Sequence, residues 1–483
     1  MSESLLIDIS KLGRKAYCFP VLDLPRGFEQ ALPEIPQELL RQKPARLPEV
    51  SELDVVRHFT RLSNQAYGVD NGSYPLGSCT MKYNPKLSEQ IAKLEEFTSI
   101  HPLQDISTVQ GCLSVMYNLL EDLSSITGMR WGSLQPCAGA HGEYTGLKMI
   151  RSYFLKRGDV DRNKVLVPVS AHGTNPASAV INGFEVVTVA SDSEGLVDMD
   201  DLRSKLDSSV AALMLTNPNT LGLFEKNILQ ISSLVHEIGA LLYYDGANLN
   251  AIMGMATPGD MGFDVIHLNL HKTFSTPHGG GGPGSGPVMV NEKLVPFLPK
   301  PDIELTDSGY VYNWELPDSI GKVSMFWGNF LVLVRAYVYI LRMGSEGIRA
   351  ASMHAVLNAN YLKSRLKDSF EIPYAKGCMH EFVVSCDNLK KRYGITAQDI
   401  AKGLIDCGYH PPTMYFPSLV GEALMFEPTE SESVETLDDF ADTLIALLER
   451  AKADPAYLKG CPYTTPVGRL DEVKAVKEPN LHY

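Results

Sequence analysis

The chain has 483 residues, 44% of them hydrophobic, and a formal net charge of −14 at pH 7. A chain of this length is expected to form two folded units, and its apolar fraction suits a large buried core. The acidic balance argues against non-specific binding to nucleic acid or to an anionic membrane. No run of about 18 apolar residues predicts a membrane span. No basic flank precedes an apolar core at the N-terminus, so we expect a cytoplasmic protein.

The N-terminal region is predicted to extend over residues 1–75. Residues 18–50 are rich in proline and show little periodicity, which predicts an extended arm, and Arg57–Ser63 are predicted to be helical. Residues 70–85 are dense in turn-forming and polar side chains and therefore predict a loop.

Residues 76–335 are predicted to form a large domain. From Thr108 the apolar residues recur at helical spacing as far as Ile126, and Gly128 is placed to end that helix. Strand-like and helix-like stretches then alternate, with strands predicted at 164–169, 185–190, 211–215, 240–244 and 265–270. Alternation of this kind predicts an α/β fold with a mostly parallel sheet. Ligands bind at the carboxyl ends of the strands in such sheets.

A smaller α+β domain is predicted to follow at residues 336–453. An apolar helix covers Phe330–Met343 and leads into Gly344, and further helices are expected near 348–369 and 433–452. Strands are expected near 380–385 and 423–427, and residues 454–483 read as an irregular tail.

Metal and nucleotide sites are not predicted. The eight cysteines include no Cys-x-x-Cys pair, and the histidines at 267, 271 and 278 do not match a zinc pattern. The run Gly279–Gly282 is not followed by Gly-Lys-Ser or Gly-Lys-Thr, which excludes a P-loop.

Lys272 and Asp245 each lie near the end of an apolar, strand-like stretch. A lone lysine of this kind usually faces solvent, but a strand-end aspartate in the preceding βα unit favours a functional pair, since an unpaired buried charge is costly. Pyridoxal phosphate needs a lysine that forms a Schiff base and a carboxylate that keeps the pyridine nitrogen protonated. We therefore predict a pyridoxal-phosphate site, with Ala247 against the ring and His271 and Thr273 as donors to the phosphate.

The segment Gln135–Gly146 is rich in small residues and opens a predicted helix. Backbone amides around Gly139 and Ala140 would bind the phosphate, aided by the helix dipole. An ordinary tight turn is the alternative. His141 would stack on the cofactor ring, or would be a loop histidine with its own local partners.

Two further strand-end segments carry candidate ligands. His172 lies in Ser170–Ser178, where a helix cap by neighbouring polar residues is the alternative reading. Asn217 lies in Thr216–Glu225, where a structural turn explains the sequence equally well.

Taken together, five motifs resemble the P-protein family of the glycine cleavage system, the glycine decarboxylases. They are the segments 74–85, 135–146, 170–178, 269–274 and 427–430. The resemblance implies a fold-type I pyridoxal-phosphate enzyme that decarboxylates glycine and passes the aminomethyl group to the lipoyl arm of the H-protein. It also implies that Lys272 is the Schiff-base residue, that His141 stacks on the ring and that Asp245 pairs with the pyridine nitrogen. Roles for His172, Asn217 and Thr273 are implied less directly.

The chain is about half the length of many glycine decarboxylases and resembles subunit 2 of the two-subunit bacterial form. The resemblance therefore implies a partner, subunit 1, in an α2β2 assembly. Two alternatives remain open: another fold-type I enzyme, such as an aminotransferase or a sulfur-removing lyase, and a non-catalytic scaffold subunit. The sequence does not identify the residue that binds the substrate carboxylate.

Overall fold

The computed structural model describes residues 3–15, 35–43, 45–279 and 282–481. The described residues divide into two compact units. The first contains the described parts of Met1–Gly68 and Thr464–Tyr483, and the second contains the described parts of Val69–Tyr463. Most of the extended arm predicted at 18–50 lies outside the described residues. In the first unit, helix α1 (Glu52–Ser63) begins with a capping box in which Ser51 and Asp54 exchange hydrogen bonds. A second helix of this unit covers Glu472–Lys477.

The second unit is built on a seven-stranded sheet. Its strands are β1 (Trp131–Ser133), β2 (Lys164–Pro168), β3 (Glu185–Val189), β4 (Val210–Thr216), β5 (Leu241–Gly246), β6 (Val265–Leu268) and β7 (Val288–Val290), in the spatial order β1-β7-β6-β5-β4-β2-β3. The five strands β2 to β6 run parallel. At one edge β7 pairs antiparallel with β6, and β1 pairs antiparallel with β7. All five strands predicted from the alternating pattern are found, with ends that differ by one or two residues.

Helices pack on both faces of this sheet. These helices are α4 (Gln110–Thr127), α5 (Gly139–Lys156), α6 (Thr174–Ile181), α7 (Met199–Lys205), α8 (Ile228–Glu237) and α9 (Leu270–Thr273). Two short helices, α2 (Lys86–Ala92) and α3 (Glu95–Thr98), precede them in the chain. In α4, Leu113 and Leu123 are at most 1% exposed, and Gly128 ends the helix in the left-handed conformation. Each fully buried leucine of this kind stabilises the fold by roughly 1.5–3 kcal/mol.

A hairpin and a long helix follow the sheet. Strands β8 (Asp302–Thr306) and β9 (Gly309–Asn313) pair with each other, and α10 covers Phe330–Leu366. The helical backbone conformation of α10 is interrupted at Gly344, where φ is 60° and ψ is −177°. Gly344 therefore breaks the helix as predicted, and a second helical stretch continues directly from the break.

The C-terminal part of this unit has a core of its own. Strands β10 (Phe382–Ser385), β11 (Thr413–Met414) and β12 (Ala423–Phe426) form an antiparallel sheet, joined by α11 (Asp387–Tyr393), α12 (Ala397–Asp406), α13 (Val434–Ala453) and α14 (Pro455–Gly460). The separate core agrees with an α+β region, but α10 runs across the predicted boundary at 335/336, and that boundary stays a prediction. Among the described residues, no helix combines the length and apolarity needed to cross a bilayer.

Candidate active site

A cavity of about 550 Å³ opens at the carboxyl ends of β5 and β6. Seven of the ten candidate site residues line it: Gly139, Ala140, His172, Asp245, Ala247, His271 and Lys272. Residues 77–79 and two residues of the C-terminal region, Thr413 and Phe416, complete much of the remaining wall. The cavity therefore lies where a parallel sheet presents the ends of its strands to a ligand.

Lys272 lies in the one-turn helix α9, directly after β6. Its side chain is half-buried, and Nζ donates a 2.7 Å hydrogen bond to the backbone carbonyl of Ser78. Within the part of the chain that the structure describes, this carbonyl is the one acceptor that holds the amine at the cavity wall, from which it can react with a carbonyl ligand.

Asp245 is 1% exposed, and both of its carboxyl oxygens accept hydrogen bonds. Oδ2 lies 2.9 Å from His172 Nδ1 and accepts from Asn175 Nδ2 at 2.9 Å, while Oδ1 accepts from the Ala247 amide at 3.0 Å and lies 3.2 Å from His267 Nε2. Burial opposes ionisation, but His172 and His267 hold the pKa of Asp245 well below its usual range. The carboxylate is therefore charged inside a buried site.

His267 is held as an imidazolium by its two neighbours. The hydroxyl of Tyr243 donates to the Gly142 carbonyl, so it accepts from His267 Nδ1, which lies 3.1 Å away. His267 Nε2 faces the Asp245 carboxylate, so both ring nitrogens carry protons. Burial opposes the charge, yet Asp245 raises the pKa of His267 above its usual value. The charge of Asp245 is thus balanced by a cation on the neighbouring strand.

The N-terminus of α5 contributes Gly139 and Ala140 to the cavity wall and has the features of an anion site. Its N-cap residue, Ala138, supplies no side-chain cap. The N–H groups of the first turn are therefore available to bind an anion. A Cβ on Gly139 would lie 2.1 Å from Asn269 Oδ1, so only glycine allows this close approach to the end of β6.

Two side chains next to Lys272 add donors. Thr273 is buried, and its hydroxyl has no hydrogen-bond partner among the described residues. His271 Nδ1 accepts from the Ser285 amide, so the ring proton is on Nε2. Burial, followed by His278 and Lys272, lowers the pKa of His271 to about 3, so the ring is neutral. An amine, a buried carboxylate, an uncapped helix start and a buried unpaired hydroxyl fit the predicted cofactor.

Comparison with known proteins agrees with this geometry. Residues 27–303 match the family described as "Glycine cleavage system P-protein", and residues 351–455 match "Glycine dehydrogenase, C-terminal domain". The chain is 57% identical over 479 residues to a protein from Oceanobacillus iheyensis named "Probable glycine dehydrogenase (decarboxylating) subunit 2", covering 99% of this chain and 98% of the relative. The chain belongs to the glycine cleavage system P-protein family. The family predicted from the five motifs is confirmed.

Solved structures of similar fold support the predicted fold class. A crystal structure of an inhibitor-bound glycine decarboxylase (P-protein) superposes with a TM-score of 0.73 at 20% identity, covering 87% of this chain and 95% of that one. A NifS-like protein superposes with a TM-score of 0.62 at 14% identity, covering 78% of this chain and all of that one. The predicted fold class, an α/β fold of fold-type I, is confirmed.

Three candidate residues of this P-protein family member lie outside the cavity lining. His141 is in the first turn of α5, where Nδ1 accepts from the Cys137 amide at 3.2 Å. Asn217 is fully buried, and its Oδ1 accepts from the Glu225 amide at 2.9 Å. Asn217 therefore closes the turn after β4, as in the alternative interpretation of this segment, and its contact with a cofactor stays a prediction. Thr273, the third, is buried one residue beyond Lys272.

The structure also brings residues to the site that sequence reasoning missed. Ser78, Glu143, Asn175 and His267 all lie within the lining or hydrogen-bond to it. His267 pairs in register with Asp245 on the adjacent strand, a relation that requires the strand alignment. Glu143 accepts from the hydroxyls of two residues in the motif at 170–178, which gives an otherwise unassigned glutamate a fixed position.

Proposed function

We propose that this chain is the cofactor-carrying subunit of a glycine dehydrogenase (decarboxylating), with pyridoxal phosphate attached through Nζ of Lys272. The observation that carries the proposal is that Lys272 and Asp245 line the same cavity as the uncapped N-terminus of α5. The family of the chain and the name of its relative supply the substrate, glycine.

Each polar group of the cavity has a proposed task. When bound, pyridoxal phosphate would supply a ring that takes up the electron pair left by departing carbon dioxide. Asp245 would keep the ring nitrogen protonated, since His172, His267 and Asn175 already hold its carboxylate charged and oriented. The backbone amides of α5 would bind the phosphate.

The other proposed cofactor contacts are assigned from where each side chain lies relative to Asp245, Lys272 and α5. Ala247 offers a small side chain beside Asp245, and we assign it to the ring face. Thr273 Oγ1 and His271 Nε2 are assigned to the phosphate, because the first is an unpaired buried hydroxyl and the second carries the ring proton. We retain His141 as the ring-stacking residue because it follows the lining residue Ala140 in the same turn of α5.

Partners follow from the names of the relatives. A relative called subunit 2, of which this chain spans 98%, supports a subunit 1 partner, and we propose an α2β2 assembly in the cytoplasm. The lipoylated H-protein would accept the aminomethyl group. We also propose that residues 76–335 form the cofactor-binding domain and residues 336–453 the smaller domain, because each region has a hydrophobic core.

The test is to co-express the chain with a subunit 1 homologue and purify the complex. Borohydride reduction followed by peptide mapping should place the cofactor on Lys272. The complex should exchange carbon between glycine and labelled bicarbonate when lipoylated H-protein is added. Conversion of a keto acid without this exchange would identify an aminotransferase instead, and recovery of the cofactor on another lysine would refute the site.

A further inference from the structure

Two of the five family motifs meet in the structure although neither received a role from the sequence. The segment 74–85 lies against the C-terminal sheet, near the motif at 427–430. The connecting contacts are the Glu427 amide to the Pro75 carbonyl (3.3 Å), the Leu76–Phe426 bridge, Thr413 Oγ1 to the Gly77 carbonyl (2.7 Å) and the Tyr83 amide to Ser431 Oγ (3.0 Å). The segment is therefore held along its length by the C-terminal region.

The middle of this segment has a strained backbone. Ser78 has a φ of 68° and Thr80 a φ of 43°, both in the left-handed region. Residues with a Cβ avoid this region, so such a turn persists only when its surroundings hold it. Strain of this kind is concentrated at functional sites, which directs attention to what holds the Ser78–Thr80 turn and what the turn contacts.

Two fully buried carboxyl groups hold the turn. Glu381 Oε2 accepts from the Ser78 amide at 2.7 Å, and Glu427 accepts from both the amide and the hydroxyl of Thr80, at 3.0 and 2.5 Å. The other oxygen of Glu381 accepts from Asn248 Nδ2 at 3.1 Å. Each strained residue is thus bonded to its own acid, and both acids are 0% exposed.

Ser78 connects the two buried acids to Lys272 and, through His172, to Asp245. Its carbonyl accepts from Lys272 Nζ at 2.7 Å, and its hydroxyl lies 2.7 Å from His172 Nε2. His172 in turn contacts Asp245 through Nδ1 at 2.9 Å. One residue therefore joins the buried acids, the lysine and the aspartate of the cavity, so a displacement of Ser78 would move the acceptor of the lysine and the support of the aspartate together.

The charge of the acid pair agrees with this role. Burial, followed by the neighbouring Glu427, raises the pKa of Glu381 well above its usual range, and burial raises the pKa of Glu427 to about 7. At least one of the two is therefore protonated at neutral pH. Lys272 and Glu430 act electrostatically on the pair, and burial together with the pair raises the pKa of Cys79. His380 Nε2 lies 3.9 Å from Glu427 Oε1.

We propose that Glu381 and Glu427 are positioning residues: they hold the Ser78–Thr80 turn so that the Ser78 carbonyl accepts the Lys272 amine whenever Nζ is not bonded to the cofactor. The inference rests on the proposed function in one respect, the attachment of the cofactor at Lys272. Beyond that function, we infer that the free Lys272 amine is held at the Ser78 carbonyl and captures the cofactor from there.

Four variants separate this role from general stability. In Glu381→Gln the amide must turn its NH2 group towards one of two donors, the Ser78 amide or Asn248 Nδ2, so the turn is displaced. Thr80→Ala removes the hydroxyl bonded to Glu427, and Thr80→Ser restores it. The matched control is Asp399→Asn: Asp399 is 4% exposed and accepts from the amide and hydroxyl of Thr396 at 2.9 and 2.8 Å, as Glu427 does from Thr80, at the capping box of α12.

The measurement is the rate at which the cofactor-free complex with subunit 1 gains visible absorbance on addition of pyridoxal phosphate. Glu381→Gln should slow capture by roughly 10- to 100-fold, the rate equivalent of leaving one buried donor without its acceptor. Thr80→Ala should slow it in the same direction, whereas Thr80→Ser and Asp399→Asn should remain near the parent rate. In glycine–bicarbonate exchange, kcat should fall more than KM changes.

Capture at the parent rate by folded Glu381→Gln and Thr80→Ala proteins would overturn the proposal, even if their melting temperatures fall. If Glu381→Gln does not fold, the Thr80→Ala and Thr80→Ser pair decides alone. A parent complex that captures the cofactor on Lys272 but does not exchange glycine carbon would refute the proposed function, while the capture rates would still test the role of the turn.

Discussion

Glu427 allows a direct measurement of the charge on the buried acid pair. Its side chain is fully buried, and burial raises its pKa from the ordinary 4.5 to about 7. The perturbation is Glu427→Gln, which removes the titrating group at nearly constant volume. Because the Thr80 hydroxyl can donate or accept, the new amide can keep both contacts with Thr80. The change therefore removes a titration with little loss of hydrogen bonding.

The sign of the effect follows from proton binding. A carboxyl group whose pKa is higher in the folded state binds its proton more tightly there, so its contribution to stability is complete below pH 4.5 and is lost as the pH rises through about 7. A shift of this size corresponds to ~3 kcal/mol in the free energy of unfolding between the two ends of the window. The parent should lose this stability with rising pH, and the variant should not.

The assay is urea unfolding of the parent and the variant at a series of pH values across this window. The free energy of unfolding of Glu427→Gln relative to the parent should increase by ~3 kcal/mol from the acid end to the alkaline end. Asp399→Asn, the matched carboxyl-to-amide change, controls for a general effect of the substitution. A difference between Glu427→Gln and the parent that stays constant with pH would refute the reasoning.

Three further predictions concern the cavity. Lys272→Ala should leave a folded complex but abolish covalent capture of pyridoxal phosphate and glycine–bicarbonate exchange; exchange near the parent rate would contradict its role. Asp245→Asn should retain covalent attachment, detected by absorbance, and lower exchange roughly 100-fold, because the ring nitrogen loses its anionic partner; unchanged turnover would exclude that task. Gly139→Ala places a Cβ 2.1 Å from Asn269 Oδ1 and should weaken cofactor affinity, measured by absorbance titration, by about tenfold or more. Unaltered affinity in a folded Gly139→Ala protein would mean that the start of α5 does not bind the phosphate.

Most of the fold could be predicted because its signals are local. The strands β2 to β6 are short apolar runs between helical stretches, and their ends could be read to within two residues. Strands β1 and β7 were not predicted, since each has only three residues and is defined by pairing with a strand distant in sequence. The sequence predicts one helix that leads into Gly344 and another near 348–369, but it does not show that the second begins directly at the break in α10.

The site residues can likewise be separated into those with a local sequence signal and those without one. Lys272 and Asp245 could be found because a polar residue at the end of an apolar strand is a local pattern. Glu381 and Glu427 could not, because they contact residues 303 and 347 positions earlier in the chain, and no periodicity marks a buried acid. The family motifs identified the segments that contain Ser78 and Glu427 without indicating that the two segments meet.

The hydrogen bonds of Asp245 explain why this site can be formed before the cofactor arrives. A carboxylate buried without partners would lose its charge, but Asp245 accepts from the Ala247 amide and from Asn175 and lies between His172 and the imidazolium of His267. These donors are fixed by β5, β6 and α6, so binding need not order them and does not incur that entropic cost. Lys272, in contrast, is held by one carbonyl on a strained turn. The anionic side of the cavity is therefore rigid, and the position of the reactive amine depends on two protonatable acids in the C-terminal region.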